Sequence, residues 1–152
     1  MSPAPTPLHQ QVLSNLNDII KSEARKTGGK VFFSPIDLFI DKKNVFQPDL
    51  LYVSNKNKSF ITNRGIEGPP ELIVEIISPS NTFSDRNTKM KKYLEFGVAE
   101  FWLIDPGNKT LEIYLRVQDN PEVPHLFLAE EGEVTSTVFP DFSFDLIDIF
   151  EE

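Results

Sequence analysis

From Leu8 to about Lys26 the apolar residues Leu8, Val12, Leu16, Ile19 and Ile20 recur every three or four positions, and Thr27-Gly28-Gly29 follows. That spacing predicts an amphipathic helix stopped by glycine. Val31-Phe32-Phe33 and Leu38-Phe39-Ile40, either side of Ser34-Pro35, read as short strands of a hairpin or bent pair, with Asp41-Lys42-Lys43-Asn44 as a turn after them. Pro48 opens the strand Asp49–Val53, a position where its missing N–H is tolerated. Residues 54–70 are rich in Asn, Lys and Gly and read as a long loop. Glu71–Ile77 is aliphatic on both faces, as a central strand covered on both sides must be, and Ser78-Pro79-Ser80-Asn81 breaks it.

A second helix is expected from a cap at Ser84 or Asp85 to Phe96, with Met90, Tyr93, Leu94 and Phe96 on one side, Lys89, Lys91 and Lys92 elsewhere, and Gly97 as the stop. The strands Glu100–Ile104 and Thr110–Arg116 around Asp105-Pro106-Gly107-Asn108 form a hairpin. Pro124–Leu128 and Val134–Val138 read as further strands, and Phe142–Phe150 as a tail ending in a helical turn. Helix, strands, helix, strands is an α/β pattern: a mixed sheet flanked by helices.

Composition narrows this. At roughly 100–200 residues per domain, 152 residues read as a single domain over 1–152, with 1–7 as an extended Pro-rich lead-in. The longest aliphatic stretch, Leu72-Ile73-Val74 and then Ile76-Ile77, is far short of the roughly 20 residues that span a bilayer. The start lacks the basic and apolar regions of a secretory signal and there is no cysteine, so the expected location is cytoplasmic, with no membrane partner. A net charge of −8 argues against nucleic acid at first sight. Residues 1–95 however carry thirteen Lys and Arg against ten Asp and Glu, or +3, and residues 96–152 two against thirteen, or −11. The surplus of acid is confined to the C-terminal third, where a solvated acidic face is the plain reading.

One residue breaks the local pattern. Glu75 stands where every neighbour is aliphatic, and a buried carboxylate is costly unless it is paired or bound to metal. If the Asp49 strand neighbours it, two carboxylates converge at one sheet edge, which suits Mg²⁺ with water completing the shell. A salt bridge from Glu75 and a turn or cap role for Asp49 explain the same residues equally well. Lys89 could bring an ammonium to the pair, although lysines on a polar helix face are ordinarily only solvated. His9, alone near the start of the first helix, reads as a cap or surface contact, and Tyr93 and Trp102 read as core.

Gln47-Pro48-Asp49, Glu75-Ile76-Ile77-Ser78-Pro79-Ser80, Asp85-Arg86-Asn87-Thr88-Lys89 and the block from Tyr93 to Pro106 together resemble the Uma-two family of restriction-endonuclease-like proteins, in the PD-(D/E)XK nuclease-like superfamily. SPAPTPLHQ near the start and FPDFSFDLIDIF near the end extend the resemblance over essentially the whole chain, and His9 resembles a recurrent family position.

The resemblance implies a restriction-endonuclease-like core, with Asp49 and Glu75 as metal ligands and the main-chain carbonyl of Ile76 as a third. The superfamily's lysine would stand at Ile77, so Lys89 is the candidate for a lysine relocated to the next helix. Glu23 on the first helix is a candidate extra carboxylate. Family members carry a further N-terminal segment with a strand hairpin, so one sheet edge is expected to be open or covered by a partner. The implied function is a Mg²⁺-dependent endonuclease, with Mn²⁺ as substitute ion, hydrolysing DNA, with substrate contacts from Lys56, Lys58 and Arg64. A homodimer fits, since cutting two strands takes two sites. The alternative is a nuclease fold without catalysis that serves as a binding or interaction module.

Overall fold

The computed structural model describes residues 5–78 and 83–151, the side chains of Phe83 and Ser84 aside. Most of the Pro-rich lead-in and most of the break at Ser78-Pro79-Ser80-Asn81 lie outside the described residues. Helix α1 runs Pro7–Arg25, with proline at the start of the helix and Thr6 as N-cap, its hydroxyl accepting from the His9 N–H at 3.1 Å. Its stripe of Val12, Leu13, Leu16, Ile20 and Ala24 is buried.

Ten strands follow among the described residues, six of them in one sheet. In chain order they are β1 Lys30–Phe33, β2 Leu38–Phe39, β3 Val45–Phe46, β4 Leu50–Val53, β5 Leu72–Ile76, β6 Glu100–Asp105, β7 Thr110–Leu115, β8 Leu126–Ala129, β9 Glu133–Thr135 and β10 Ser143–Asp145. The main sheet has the order β1-β4-β5-β6-β7-β8, mixed because β5 and β6 are parallel while every other neighbour pair is antiparallel. The parallel step is bridged by α2, Phe83–Phe96, as a crossover requires. Phe83 is already helical, so α2 begins before the expected cap at Ser84 or Asp85. The α2 end is as expected: Gly97 takes φ +120°, and the Val98 N–H returns to the Tyr93 carbonyl at 3.1 Å.

The expected pairing of residues 31–33 with 38–40 is not formed. Phe33 pairs with Leu50, and Leu38–Phe39 folds onto Val45–Phe46 in a separate ribbon. Asp41 closes that ribbon by accepting from the Lys43 and Asn44 N–H groups, both at 2.8 Å. A local aspartate turn therefore claims Leu38–Phe39 and leaves β1 to the longer β4. Within the long loop, Asn55–Phe60 forms a 3₁₀ segment, tied back by the Glu71 carboxylate through Ser54 N–H and Asn57 Nδ2.

Alternation along the strands divides the interior into two cores. Leu50, Tyr52, Leu72, Val74, Ile76, Trp102, Ile104, Leu111 and Ile113 face α1 and the short C-terminal α3, Ile147–Phe150. Leu51, Val53, Ile73, Phe101, Leu103 and Tyr114 face α2. The β9–β10 ribbon and α3 close the first core through Val134, Phe139, Leu146 and Ile149, and Asn15 of α1 donates to the carbonyls of Ile149 and Glu151. The acidic C-terminal third therefore forms one edge of the sheet and the covering of the α1 side. No helix among the described residues is long and apolar enough to cross a membrane.

Candidate active site

β5 lies between β4 and β6, and its Glu75 is placed by simple alternation. Leu72, Val74 and Ile76 point to α1, so Glu75 shares the α2 side with Ile73. The antiparallel β4–β5 register pairs Leu50 with Val74, and one step further brings Asp49 opposite Glu75. The two carboxylates thus meet at the end of the sheet, as the sequence suggested.

Each is anchored differently. Asp49 Oδ2 accepts from the Ile76 N–H at 2.7 Å, and its Oδ1 stands 3.4 Å from His9 Nε2. Glu75 Oε1 accepts from the Tyr93 hydroxyl at 2.9 Å, and its Oε2 is 3.7 Å from Lys89 Nζ. Lys89 and Tyr93 are four residues apart on α2, hence on one face of it. Lys89 is 37% exposed while Glu75 is nearly buried, so the ammonium stands at the mouth of the site. Arg86, three residues before Lys89, lines the same small cavity with Ile76, Ile77, Phe101 and Leu103.

The electrostatics follow from crowding. Burial first, then the Asp49 charge, push the Glu75 carboxyl up to about 7, against the opposing pull of Lys89 and the Tyr93 hydroxyl. His9 is raised by Asp49 above all, with burial acting the other way. The Tyr93 hydroxyl is pushed far up by burial and by Glu75, and so stays a donor. Removing that donor in Tyr93→Phe leaves Glu75 Oε1 bare, and we expect a loss of about 1 kcal/mol in unfolding free energy by urea titration, with Glu75 titrating higher still by NMR.

Two opposed carboxylates, one of them, Glu75, with its proton affinity raised, are a donor set that fits a hard divalent cation, because such an ion removes the repulsion that helps hold the proton on Glu75. Among the described residues no three His, Cys, Asp or Glu side chains are gathered into a metal-binding cluster. Mg²⁺ commonly needs only one or two carboxylates, with water for the rest.

The other sequence candidates fall elsewhere. Glu23 sits in the last turns of α1, fourteen residues or roughly 21 Å along the helix from His9, and pairs with Lys26 at 2.9 Å. It supplies no carboxylate here. Lys56 and Lys58 follow the far end of β4, roughly 13 Å from Asp49 at about 3.3 Å per residue. Arg64 is engaged with Glu67 at 2.9 Å and lies 4.4 Å over the Phe39 ring.

The sequence reading misplaced His9, whereas Tyr93 lies in the core as read and in addition bonds Glu75 through its hydroxyl. His9 is 7% exposed, neither cap nor surface contact. The available signal was phase: His9 falls in line with Val12, Leu16 and Ile20 on the buried stripe. For Tyr93 it was chemistry, because a buried hydroxyl wants a partner and the buried Glu75 wants donors.

Comparison with known proteins gives three findings. The family model Uma2, described as "Putative restriction endonuclease", matches residues 1–147. The chain is 25% identical over 128 residues to "Uncharacterized protein sll1609" of Synechocystis sp. (strain ATCC 27184 / PCC 6803 / Kazusa), covering 83% of this chain and 72% of that protein. It shares its fold with the crystal structure of "a putative nuclease belonging to DUF820" from Anabaena variabilis ATCC 29413, at a TM-score of 0.78 and 19% identity over 99% of this chain and 84% of that one.

Proposed function

With residues 1–147 matched, the chain belongs to the Uma2 family, and from that premise we propose that it is a metal-dependent endonuclease hydrolysing phosphodiester bonds in DNA. The observation that carries this reading is the meeting of Asp49, just before β4, with Glu75 of β5 and Lys89 of α2 at one end of the sheet.

Asp49 and Glu75 would hold Mg²⁺, or Mn²⁺ in its place, with the Ile76 main-chain carbonyl as a third oxygen. Bound there, the ion would acidify a water and polarise a phosphate oxygen. The chain's own groups do the rest. The Ile76 N–H fixes Asp49, Tyr93 fixes Glu75, and Lys89 at the mouth offers its ammonium to negative charge that grows on the phosphate. DNA would approach from the Lys89 side, away from the acidic covering of α1. Lys56, Lys58 and Arg64 would act only as distant contacts for a long duplex. A homodimer would supply the second site for the second strand, and the cytoplasm supplies both ion and substrate.

Nicking of supercoiled plasmid tests this. Wild-type protein should nick with Mg²⁺ and not with EDTA, and Lys89→Met, folded by circular dichroism, should be slower by about 10²-fold or more. Unchanged nicking in that variant removes Lys89 from the site. A wild-type protein that neither nicks nor takes up metal in calorimetry is a binding module on a nuclease fold.

A further inference from the structure

Arg86 is the cation at the site that the roles above leave unused. It stands three residues before Lys89 on α2, so the two side chains are neighbours on one helix face, and both line the small cavity at Glu75. That cavity holds about 10 Å³, room for no more than a water. Arg86 and Ile77 also line a second hollow, of about 470 Å³, walled by the start of α1 at His9 and by the turn that begins at Asp105. His9 stands 3.4 Å from Asp49, so this groove reaches the end of the sheet where the two carboxylates meet.

A nucleotide cannot enter the small cavity, and a strand whose scissile phosphate lies over its mouth must continue through a hollow large enough to take it. The groove has that room, and Arg86 is the one Lys or Arg among the described residues that line it. The carboxylate in its wall, Asp105, is engaged by its own turn: it accepts from the Gly107 and Asn108 N–H groups at 3.0 and 3.2 Å and from Asn108 Nδ2 at 2.9 Å. On its other side Arg86 borders a hollow that contains Glu112, where the carboxylate would repel a phosphate. The groove side is therefore the one on which the guanidinium can offer its planar fork to two phosphate oxygens.

We propose that this groove seats the phosphate next to the scissile one and that Arg86 grips it, so that the strand is held on one side of the Asp49–Glu75 pair. This rests on the endonuclease reading above. The gripped phosphate does not react, so Arg86 is a substrate-binding residue: in plasmid nicking Arg86→Gln should raise KM and spare kcat, whereas Lys89→Met lowers kcat.

The test uses the full chain with Ca²⁺ in place of Mg²⁺, so that DNA is held without being cut. Binding of a labelled duplex, followed by fluorescence anisotropy over a range of salt, should weaken by roughly tenfold in Arg86→Gln, with the slope of log affinity against log salt smaller by about one. Arg86→Lys, which keeps the charge and loses the fork, should retain the slope and recover part of the affinity. The place of the contact is read with thymidylyl-thymidine, which has one phosphate, and the same dinucleotide carrying a second phosphate at its 5′ or its 3′ end. At one of the two ends the second phosphate should tighten binding to the wild-type chain and move the Arg86 Nε–H resonance, a measurement needing no variant, and the tightening should be lost in Arg86→Gln. An unchanged salt slope in folded Arg86→Gln, a resonance that does not move, or a terminal-phosphate gain that survives the substitution overturns the assignment and leaves the Asp49–Glu75 site standing. If the wild-type chain retains no DNA, the endonuclease reading falls and this proposal with it.

Discussion

Glu75→Gln is expected to abolish cleavage and, at the same time, to make the metal-free protein harder to unfold at pH 8. The loss follows from the proposed role: one of two carboxylates is gone, and plasmid nicking should fall by about 10³-fold or more. The gain follows from crowding. The Glu75 carboxyl, ordinarily at 4.5, is pushed up to about 7 by burial and by Asp49. Between those values the folded chain holds a proton that the unfolded chain has released, so unfolding free energy falls as pH rises through the window and stays low above it. A displacement of that size corresponds to on the order of 3 kcal/mol. Glutamine carries no charge to strand, although its amide nitrogen would face Lys89, so about 1–2 kcal/mol should be recovered at pH 8. Thermal unfolding in EDTA at pH 5 and pH 8 checks this: wild-type should lose clearly more stability between the two than the variant, in which only the raised His9 still contributes. Parallel behaviour would show that Glu75 is comfortable when ionised, and the case for a displaced repulsion would fail.

The second large effect lies at the opposite end of the sheet. Glu100 is fully buried, yet no cation pairs with it among the described residues. Four donors surround it instead: Trp102 Nε1 at 2.8 Å, Ser136 Oγ at 2.6 Å, and the Thr137 N–H and hydroxyl at 3.0 and 2.9 Å. Two of its partners lie in the segment that leads from β9 towards β10, so the carboxylate fastens the C-terminal covering to the central sheet. Glu100→Ala would strand the buried Trp102 N–H and the Thr137 N–H together, at a cost of about 3–5 kcal/mol. In a chain of this size that lowers the melting temperature by roughly 6–20 °C. Glu100→Gln keeps one acceptor and should cost about half as much. Hydrogen exchange should show residues 133–150 losing protection first, with plasmid nicking below the melting point little changed. A shift of less than about 1 kcal/mol in Glu100→Ala would mean the network is not holding the arm.

These two glutamates show how far a sequence can be read. Glu75 was visible because it interrupts an aliphatic run and nothing local could satisfy it. Glu100 was not, because it begins a strand beside Ala99 and looks like an ordinary polar boundary; its donors come from the same strand and from more than thirty residues downstream. Asp49 was legible through Pro48 and the strand that follows, once β4 and β5 were taken as neighbours. Lys89 was singled out by the resemblance, while composition alone did not separate it from Lys91 and Lys92; helix phase does. Lys91 reaches Glu122 at the surface, while Lys89 shares its face with Tyr93. His9 finds Asp49 forty residues later, and no local pattern announces such a partner. The same limit explains the strand error at 31–40. Period and turn chemistry identify Val31–Phe33 and Leu38–Ile40 as strands, but pairing is a competition among partners distant in sequence, and Asp41 decided it. Helix α1, the central strand and the β6–β7 hairpin, whose signals are local and strong, came out as read.

The division of the interior into two cores gives the site an unusual exposure to damage. Across most of the molecule the sheet acts as a partition, so a side chain lost beneath α1 is felt by α1 and not by α2. At the Asp49–Glu75 end the partition runs out: His9 arrives from one compartment, Lys89 and Tyr93 from the other, and the carboxylates stand between them. Loosening either compartment would therefore reach the Asp49–Glu75 site before it reached the other compartment. The site is the molecule's common wall, and its geometry is the most sensitive record of whether both halves are in place.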